Sequence, residues 1–176
     1  MPRQGGKWMV QPVAIDSAFL PRPAPGAPPP GPIGSGNGGD APRADAKRGR
    51  VLIVEDEYFV ALDAELALAD AGFEVVGQAA TAAAALQLAT LHRPDIVVMD
   101  IRLMGTRDGI DAATEILTTL GIHSMFASAH IDAATRRRGE ATGASVGWLA
   151  KPYSSSQLEA AVLASLAEAR KRSGQQ

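Results

Sequence analysis

Three carboxylates stand directly after hydrophobic runs of this sequence, at points where strands are predicted to end. Glu55 and Asp56 follow the run Val51–Val54, and Asp100 follows the run Ile96–Met99. An ionised carboxylate beside a hydrophobic core costs free energy unless it is paired or binds a metal ion. Taken singly, each has a structural explanation, as a charge favoured at a helix N-terminus or as the first solvated residue after a strand. Their chemistry therefore depends on whether the fold brings them together.

Hydrophobic spacing predicts the elements that would position these carboxylates. Five strand patterns alternate with five helix patterns between residues 50 and 172. The strands are expected at Val51–Val54, Phe73–Ala79, Asp95–Met99, His123–Ala127 and Ser145–Ala150. The helices are expected at Glu57–Gly72, Thr81–Arg93, Gly109–Gly121, Asp132–Glu140 and Ser155–Arg172. Such alternation predicts a parallel sheet with helices on both faces.

Two of the helix patterns carry further detail. In the first helix, the apolar residues at helical spacing are Phe59, Leu62, Leu66 and Ala69. The segment Ser154–Gln157 resembles a capping box at the start of the last helix.

Ligands of an open parallel sheet bind outside the carboxyl ends of its strands. If the first and third strands are neighbours, Glu55, Asp56 and Asp100 converge on one patch. Three adjacent carboxylates repel one another, and a hard divalent ion with oxygen ligands, Mg²⁺ rather than Zn²⁺, would relieve that repulsion. Ser128 and Lys151 follow the fourth and fifth predicted strands and would add a hydroxyl donor and a positive charge. This set suits a phosphoryl group attacked in line by an oxygen nucleophile, which would be Asp100.

The segments at these strand ends also carry a family resemblance. They read VLIVEDE from residue 51, IVVMD from residue 96, FASA from residue 126 and GWLAKPY from residue 147. Over residues 50–172 the chain resembles the receiver domain of bacterial two-component response regulators. The resemblance implies a flavodoxin-like (CheY-like) α/β fold. Its doubly wound, five-stranded parallel sheet would have the order 2-1-3-4-5, with helices on both faces.

The resemblance implies a role for each residue of the site. Asp100 would accept a phosphoryl group from a histidine kinase or a histidine phosphotransfer protein. The ligands of Mg²⁺ would be Glu55, Asp56, Asp100 and the backbone carbonyl of Arg102. Lys151 and Ser128 would bind phosphate oxygens, and Ser128 with Trp148 would form the switch that responds to the phosphate. Trp148 is bulkier than the usual Tyr or Phe, so we expect its inward rotation to be restricted.

The composition excludes several classes of protein. The 176 residues include no cysteine, which excludes disulfides, thiolate zinc sites and cysteine nucleophiles. Residues 51–176 carry sixteen Asp and Glu against ten Lys and Arg, whereas residues 1–50 carry three against seven. An acidic domain is a poor candidate for direct DNA binding, which depends on neutralising phosphates. No apolar run reaches membrane-spanning length and no secretory signal is evident, so we expect a cytoplasmic protein.

Domain boundaries are predicted from where proline and glycine concentrate. Residues 1–48 hold ten of the twelve prolines and are expected to form a disordered tail. The receiver domain is predicted at residues 49–172, followed by a short C-terminal tail at residues 173–176. Because no output domain is evident, we expect a single-domain regulator that acts through an unknown downstream protein.

The expected contact surface of that regulator is the fourth helix, the fifth strand and the fifth helix. The basic run Arg136–Arg138 lies there, and a solvated helix face explains it equally well. Homodimerisation through the last two helices stays open.

Four other functions are alternatives to a phosphorylation-switched module. A phosphatase of the haloacid dehalogenase type needs a second acid two residues after its nucleophile, and Arg102 stands there. Nucleotide binding would need a glycine-rich phosphate loop after the first strand, and none follows it. A pseudo-receiver that binds partners without phosphorylation and a phosphate sink both stay open. We therefore expect no enzyme activity beyond self-catalysed phosphoryl transfer and slow autodephosphorylation.

Overall fold

A computed structural model of the protein describes residues 48–174. Five strands form one sheet in which every neighbouring pair is parallel. They are β1 (Arg50–Val54), β2 (Glu74–Ala79), β3 (Ile96–Met99), β4 (Ser124–Ser128) and β5 (Ser145–Ala150). The strand order is β2-β1-β3-β4-β5, so the predicted order is confirmed.

The register of the strands aligns their carboxyl ends. Val54, the last residue of β1, pairs with Ala79 of β2 and with Met99 of β3. At the other side of the sheet, Ser128 of β4 pairs with Ala150 of β5. The residues that follow these strands therefore share one edge of the sheet.

In the described part of the chain, residues 48–174, five helices cover the two faces of the sheet. They are α1 (Tyr58–Asp70), α2 (Ala82–His92), α3 (Gly109–Leu120), α4 (Ala133–Ala141) and α5 (Ser155–Ser173). One hydrophobic cluster joins the sheet to α1 and α5, and a second joins it to α2 and α3. None of the described helices combines the length and apolar character that a membrane crossing requires.

The buried face of α1 differs from the one that its large apolar residues indicated. Phe59 is 80% exposed and Leu66 is 57% exposed. The residues that α1 buries are Ala61, Ala64 and Leu68. The apolar residues of α1 itself occur on every side of the helix, so their spacing does not define one buried face. The alanines lie against the sheet because their small side chains let the helix backbone approach it closely.

Side-chain caps begin four of the helices. Thr81, Asp108, Asp132 and Ser154 each accept a hydrogen bond from a backbone N–H of the first turn. At α5 the capping box is complete, because the Gln157 side chain also accepts from the Ser154 backbone N–H at 2.8 Å. The capping box predicted from the sequence is therefore confirmed.

The predicted tails fall mostly outside the described residues. Of the proposed N-terminal tail, residues 1–48, only Arg48 is described, and it precedes β1. Of the proposed C-terminal tail, residues 173–176, Ser173 is the last residue of α5. The domain boundaries stay a prediction.

Candidate functional site

Three carboxylates converge at the carboxyl ends of β1 and β3. Glu55, Asp56 and Asp100 each offer an oxygen, and these oxygens lie within 4.8 Å of one another. Backbone hydrogen bonds extend the strand pairing to this point: Glu55 N–H donates to the Ala79 carbonyl and Asp100 N–H to the Val54 carbonyl, both at 2.8 Å. Glu55 and Asp100 are buried. The sheet itself therefore fixes two of the three acids.

Lys151 reaches this acidic cluster from the loop after β5. Its ammonium donates to Glu55 Oε2 and, at 2.6 Å, to Asp100 Oδ2. The Lys151 backbone N–H donates to the Ser128 carbonyl at 3.1 Å, and the Lys151–Pro152 peptide bond is cis. The predicted convergence of Lys151 with the acids is thus present, and the ammonium bridges two of them.

Burial and charge shift the pKa values of this bridge. Burial raises the pKa of Glu55, and the nearby Asp100 raises it further, against the opposing effect of Lys151. Burial lowers the pKa of Lys151, but its hydrogen bonds to Asp100 and Glu55 outweigh burial and leave that pKa raised. Lys151 is therefore charged at neutral pH. The site thus holds one ammonium and three carboxyl groups, so its acidic groups outnumber its cation by two.

This donor set fits a hard divalent cation. All three groups that the site offers are carboxylates, and oxygen ligands are what such cations prefer. A doubly charged cation would balance the two acidic groups that the Lys151 ammonium leaves over. The loop after β3 folds back on the site, since Arg102 N–H donates to Asp100 Oδ1 at 3.2 Å. A coordinating role of the Arg102 carbonyl stays a prediction.

The two residues assigned to the switch lie on β4 and β5. Ser128 is buried at the end of β4, and its hydroxyl accepts a hydrogen bond from His130 N–H at 3.4 Å. Trp148 pairs with Phe126 across β5 and β4, and their ring centroids are 4.8 Å apart. Among the described residues, neither Ser128 nor Trp148 hydrogen-bonds to the acidic cluster.

Gly109 is a residue of the site that spacing did not single out. A Cβ at this position would lie 1.8 Å from the Asp100 carbonyl oxygen, so only glycine fits. Gly109 N–H also donates to the Ile101 carbonyl at 2.8 Å. The first residue of α3 therefore lies against the backbone of Asp100. The available signal was a glycine next to the helix cap Asp108.

An apolar groove beside the site was also not anticipated. It has a volume of about 470 Å³ and opens between the start of α1 and the β5–α5 loop. Its lining residues are Glu57, Phe59, Val60, Asp63, Ala129, Lys151, Pro152 and Tyr153. The exposed Phe59 thus lies beside Lys151 rather than in the core.

The predicted basic run on α4 is largely paired within the domain. Arg136 pairs with Glu140, and its guanidinium carbon lies 5.7 Å from the centroid of the Trp148 ring. Arg138 pairs with Asp108 and Asp111. These pairings support the solvated-face explanation for most of the run.

Strand order, the acids at the ends of β1 and β3 and the lysine after β5 define a class of signalling domain. A family model described as the response regulator receiver domain matches residues 51–163. The chain belongs to this family, and the resemblance found in the sequence is confirmed.

Particular relatives extend this result. The transcriptional regulatory protein PdtaR of Mycobacterium tuberculosis H37Rv is 40% identical over 113 residues, which cover 64% of this chain and 54% of that protein. The phyllosphere-induced regulator PhyR of Methylorubrum extorquens is 33% identical over 81 residues, covering 46% of this chain and 30% of PhyR. The match thus spans about half the length of PdtaR.

Solved structures agree with the fold. The signal receiver domain of a modulated diguanylate cyclase from Desulfovibrio desulfuricans G20 superposes with a TM-score of 0.65 at 27% identity, covering 70% of this chain and 98% of that one. The signal receiver domain of the putative response regulator NarL from Mycobacterium tuberculosis superposes with a TM-score of 0.63 at 28% identity. The superposition covers 68% of this chain and 96% of that one. The flavodoxin-like fold is therefore established.

Proposed function

We propose that this receiver domain accepts a phosphoryl group on Asp100 from the phosphohistidine of a histidine kinase or phosphotransfer protein. An Asp100 carboxylate oxygen attacks the phosphorus and forms a P–O bond as the P–N bond breaks. The electron pair of that bond stays on the imidazole nitrogen, which takes up a proton. The observation that carries this proposal is the contact of Lys151 with Asp100 inside a cluster of three carboxylates.

Each residue of the site has a part in this transfer. Glu55, Asp56, Asp100 and the Arg102 carbonyl would hold Mg²⁺, which would neutralise phosphoryl oxygens when bound. Lys151 orients the acceptor carboxylate by its hydrogen bond to Asp100 and supplies positive charge. The Ser128 hydroxyl donates to a phosphoryl oxygen once it leaves its contact with His130.

The output of this transfer is a change in a protein-binding surface. Movement of Ser128 toward the phosphate frees space beside Trp148, and the two states of that region present different surfaces. The downstream partner would be a protein rather than DNA, since residues 51–176 carry an acidic excess. The family membership supports this two-component role.

Intact-mass spectrometry tests the proposal. The wild type, incubated with Mg²⁺ and acetyl phosphate, is expected to gain one phosphoryl adduct. Asp100→Asn is expected to gain none, and neither is the wild type in EDTA. Asp63→Asn, which removes an exposed acid on nearby α1, serves as the matched control and should be labelled like the wild type. An unlabelled wild type that also fails to bind Mg²⁺ would favour the pseudo-receiver.

A further inference from the structure

The loop that follows β3 lies beside the acceptor residue and is poorly buried. It spans residues 101–108, and of these only Ile101 is buried. Segments with few buried contacts open most easily, so the position of such a loop depends on its specific hydrogen bonds. The hydrogen bonds that hold this loop therefore bear on the geometry of the site.

One end of the loop orients the Asp100 carboxylate. Arg102 N–H donates to Asp100 Oδ1 at 3.2 Å, while the Lys151 ammonium donates to Oδ2 at 2.6 Å. Each carboxylate oxygen is thus held by a different loop, and the two bonds together fix the rotation of the group. If Arg102 moved away, Oδ1 would lose this donor and the carboxylate could rotate about its Cβ–Cγ bond.

The middle of the loop is tied to the end of β2. Met104 N–H donates to the Ala80 carbonyl at 3.3 Å, and Met104 forms an isolated parallel bridge with Thr81. Thr81 is itself fixed, because its hydroxyl oxygen caps α2 by accepting Ala84 N–H at 3.2 Å. Next to the bridge, Leu103 packs against the hydrophobic cluster that joins the sheet to α2 and α3. The exposed Met104 is therefore joined through its backbone to a well-packed part of the domain.

The end of β2 also holds the other segment of the site. The Ala79 carbonyl accepts Glu55 N–H at 2.8 Å, and the next carbonyl along the chain, that of Ala80, accepts Met104 N–H. Two successive carbonyls thus hold the acids after β1 and the loop after β3. The acids themselves follow β1 and β3, so the contribution of β2 is made by its backbone.

A glycine lets the loop turn away directly after the bridge. Gly105 has a φ of +108°, which L side chains rarely adopt, and a Cβ there would meet nothing within 4 Å. The requirement for glycine is thus one of backbone conformation and not of space. Beyond the turn, Gly109 N–H donates to the Ile101 carbonyl at 2.8 Å and closes the loop at the start of α3. The turn at Gly105 therefore lets one short loop contact both β2 and α3.

We propose that the end of β2 is a positioning clamp for phosphoryl transfer. The Ala80 carbonyl holds Met104, the turn at Gly105 maintains that contact, and the Arg102 N–H is thereby kept on Asp100 Oδ1. Met104 and Gly105 act through Arg102, so they are positioning residues. This role in transfer rests on the proposed function, whereas the clamp itself needs neither a phosphodonor nor a metal ion.

Amide hydrogen exchange of the full chain, followed residue by residue by NMR without Mg²⁺ or phosphodonor, tests the clamp. The Met104 amide should exchange slowly in the wild type although this residue is exposed. Gly105→Ala should raise exchange at Met104 and Arg102 about tenfold, because the new residue abandons the positive φ and opens the clamp. Amides of α5 should be unaffected.

Gly121→Ala is the matched control for that substitution. Gly121 also has a positive φ, +72°, with nothing within 4 Å of a Cβ, but it ends α3 at the opposite edge of the sheet. Exchange at Met104 and Arg102 should stay within about twofold of the wild type in this variant. A fast Met104 amide in the wild type, or equal Met104 exchange in the two variants, would overturn the clamp.

The role of the clamp in transfer is tested with Mg²⁺ and acetyl phosphate. Gly105→Ala should be phosphorylated about tenfold more slowly, since the acceptor oxygen is no longer held in one orientation. Isothermal titration calorimetry should show Mg²⁺ binding about tenfold weaker, because the same loop carries the predicted Arg102 ligand. Gly121→Ala should match the wild type in both measurements, although urea unfolding should show that it also loses stability.

The outcomes separate the clamp from the proposed function. If Gly105→Ala has a fast Met104 amide but is phosphorylated and binds Mg²⁺ like Gly121→Ala, the positioning role is overturned and the proposed function stands. A wild type that is not phosphorylated would overturn the positioning role together with the proposed function. In that case the exchange rates of the two glycine variants would still decide whether the clamp exists.

Discussion

At the scale of single residues, Lys151 governs the charge of the acidic cluster. Its ammonium is hydrogen-bonded to Glu55 and Asp100, so it already neutralises part of the charge that a metal ion would neutralise. Side chains this buried interact strongly, because the local dielectric is lower than that of water. Lys151 and a divalent cation therefore compete for the same carboxylate oxygens.

Removing this ammonium should tighten Mg²⁺ binding. We expect Lys151→Ala to bind Mg²⁺ about tenfold more tightly, equivalent to ~1.4 kcal/mol, because three carboxylates are then uncompensated. Phosphoryl transfer to the same variant should fall. Isothermal titration calorimetry measures the affinity, and Lys171→Ala, an exposed lysine of α5, is the control. Weaker Mg²⁺ binding by Lys151→Ala would contradict the competition.

Gly109 leads to a second prediction at this scale. Gly109→Ala should lower the free energy of unfolding by more than ~2 kcal/mol, since its methyl group would clash with the backbone of Asp100 and neither can move aside. Gly174→Ala, at a position with ordinary space near the end of α5, should have little effect. Urea unfolding followed by circular dichroism measures both. An unaffected Gly109→Ala would show that α3 can shift away from the acceptor.

Residue types at strand ends predicted which side chains meet, because parallel strands end at one edge. Glu55, Asp56, Asp100 and Lys151 were found this way. Gly109 and the Arg138–Asp108 contact were not, because a close backbone approach and an ion pair thirty positions apart leave no periodic signal. The roles assigned to Ser128, Trp148 and the Arg102 carbonyl stay predictions.

At the scale of the elements, α5 begins with the capping box that the sequence indicated. Ser154→Ala should destabilise the domain by about 1 kcal/mol, since it leaves the Gln157 backbone N–H without its cap. Ser155→Ala, one residue into the helix, is the control and should change stability by less than half as much. Urea titration gives both values, and equal effects of the two substitutions would mean that the cap contributes nothing specific.

The ten elements were predictable because short apolar runs alternate with longer segments whose apolar residues recur at helical spacing. The face of α1 was not, because Phe59 and Leu66 have the helical spacing of core residues yet lie outside. Two alanines of α1 lie against the sheet. Alanine is less hydrophobic than Phe59 and Leu66, which the structure leaves exposed. The buried face of α1 was decided by how closely the helix backbone can approach the sheet. Sequence spacing does not encode that distance.

At the scale of the whole molecule, stability should depend on pH through the ion pair between Arg138 of α4 and Asp108, the N-cap of α3. Burial raises the pKa of Asp108, but hydrogen bonds from Arg138 and from the backbone N–H groups of Asp111 and Ile110 outweigh it, so the pKa lies below its usual value. A carboxyl with a lowered folded-state pKa stabilises the fold above its unfolded pKa, and that stabilisation is lost as pH falls through the folded value.

The pH dependence is measured by comparing the wild type with Arg138→Ala. Their difference in unfolding free energy should be fully present near about pH 6 and should shrink below about pH 4, where unfolded Asp begins to protonate. The raised pKa of Glu55 makes its contribution to stability change with pH in the opposite direction. Both proteins contain Glu55, so its contribution cancels in their difference. Urea titrations at a series of pH values measure it. A difference independent of pH would contradict the assignment to Asp108.

The central claim is that Asp100 itself becomes phosphorylated. Its most direct test is borohydride reduction of the protein after incubation with a phosphorylated histidine kinase and Mg²⁺, followed by peptide mass mapping. Reduction converts an aspartyl phosphate to homoserine, so the peptide containing Asp100 should carry homoserine at that position and no other acid should change. Homoserine at another acid, or none in a protein that binds Mg²⁺ at this cluster, would contradict the account.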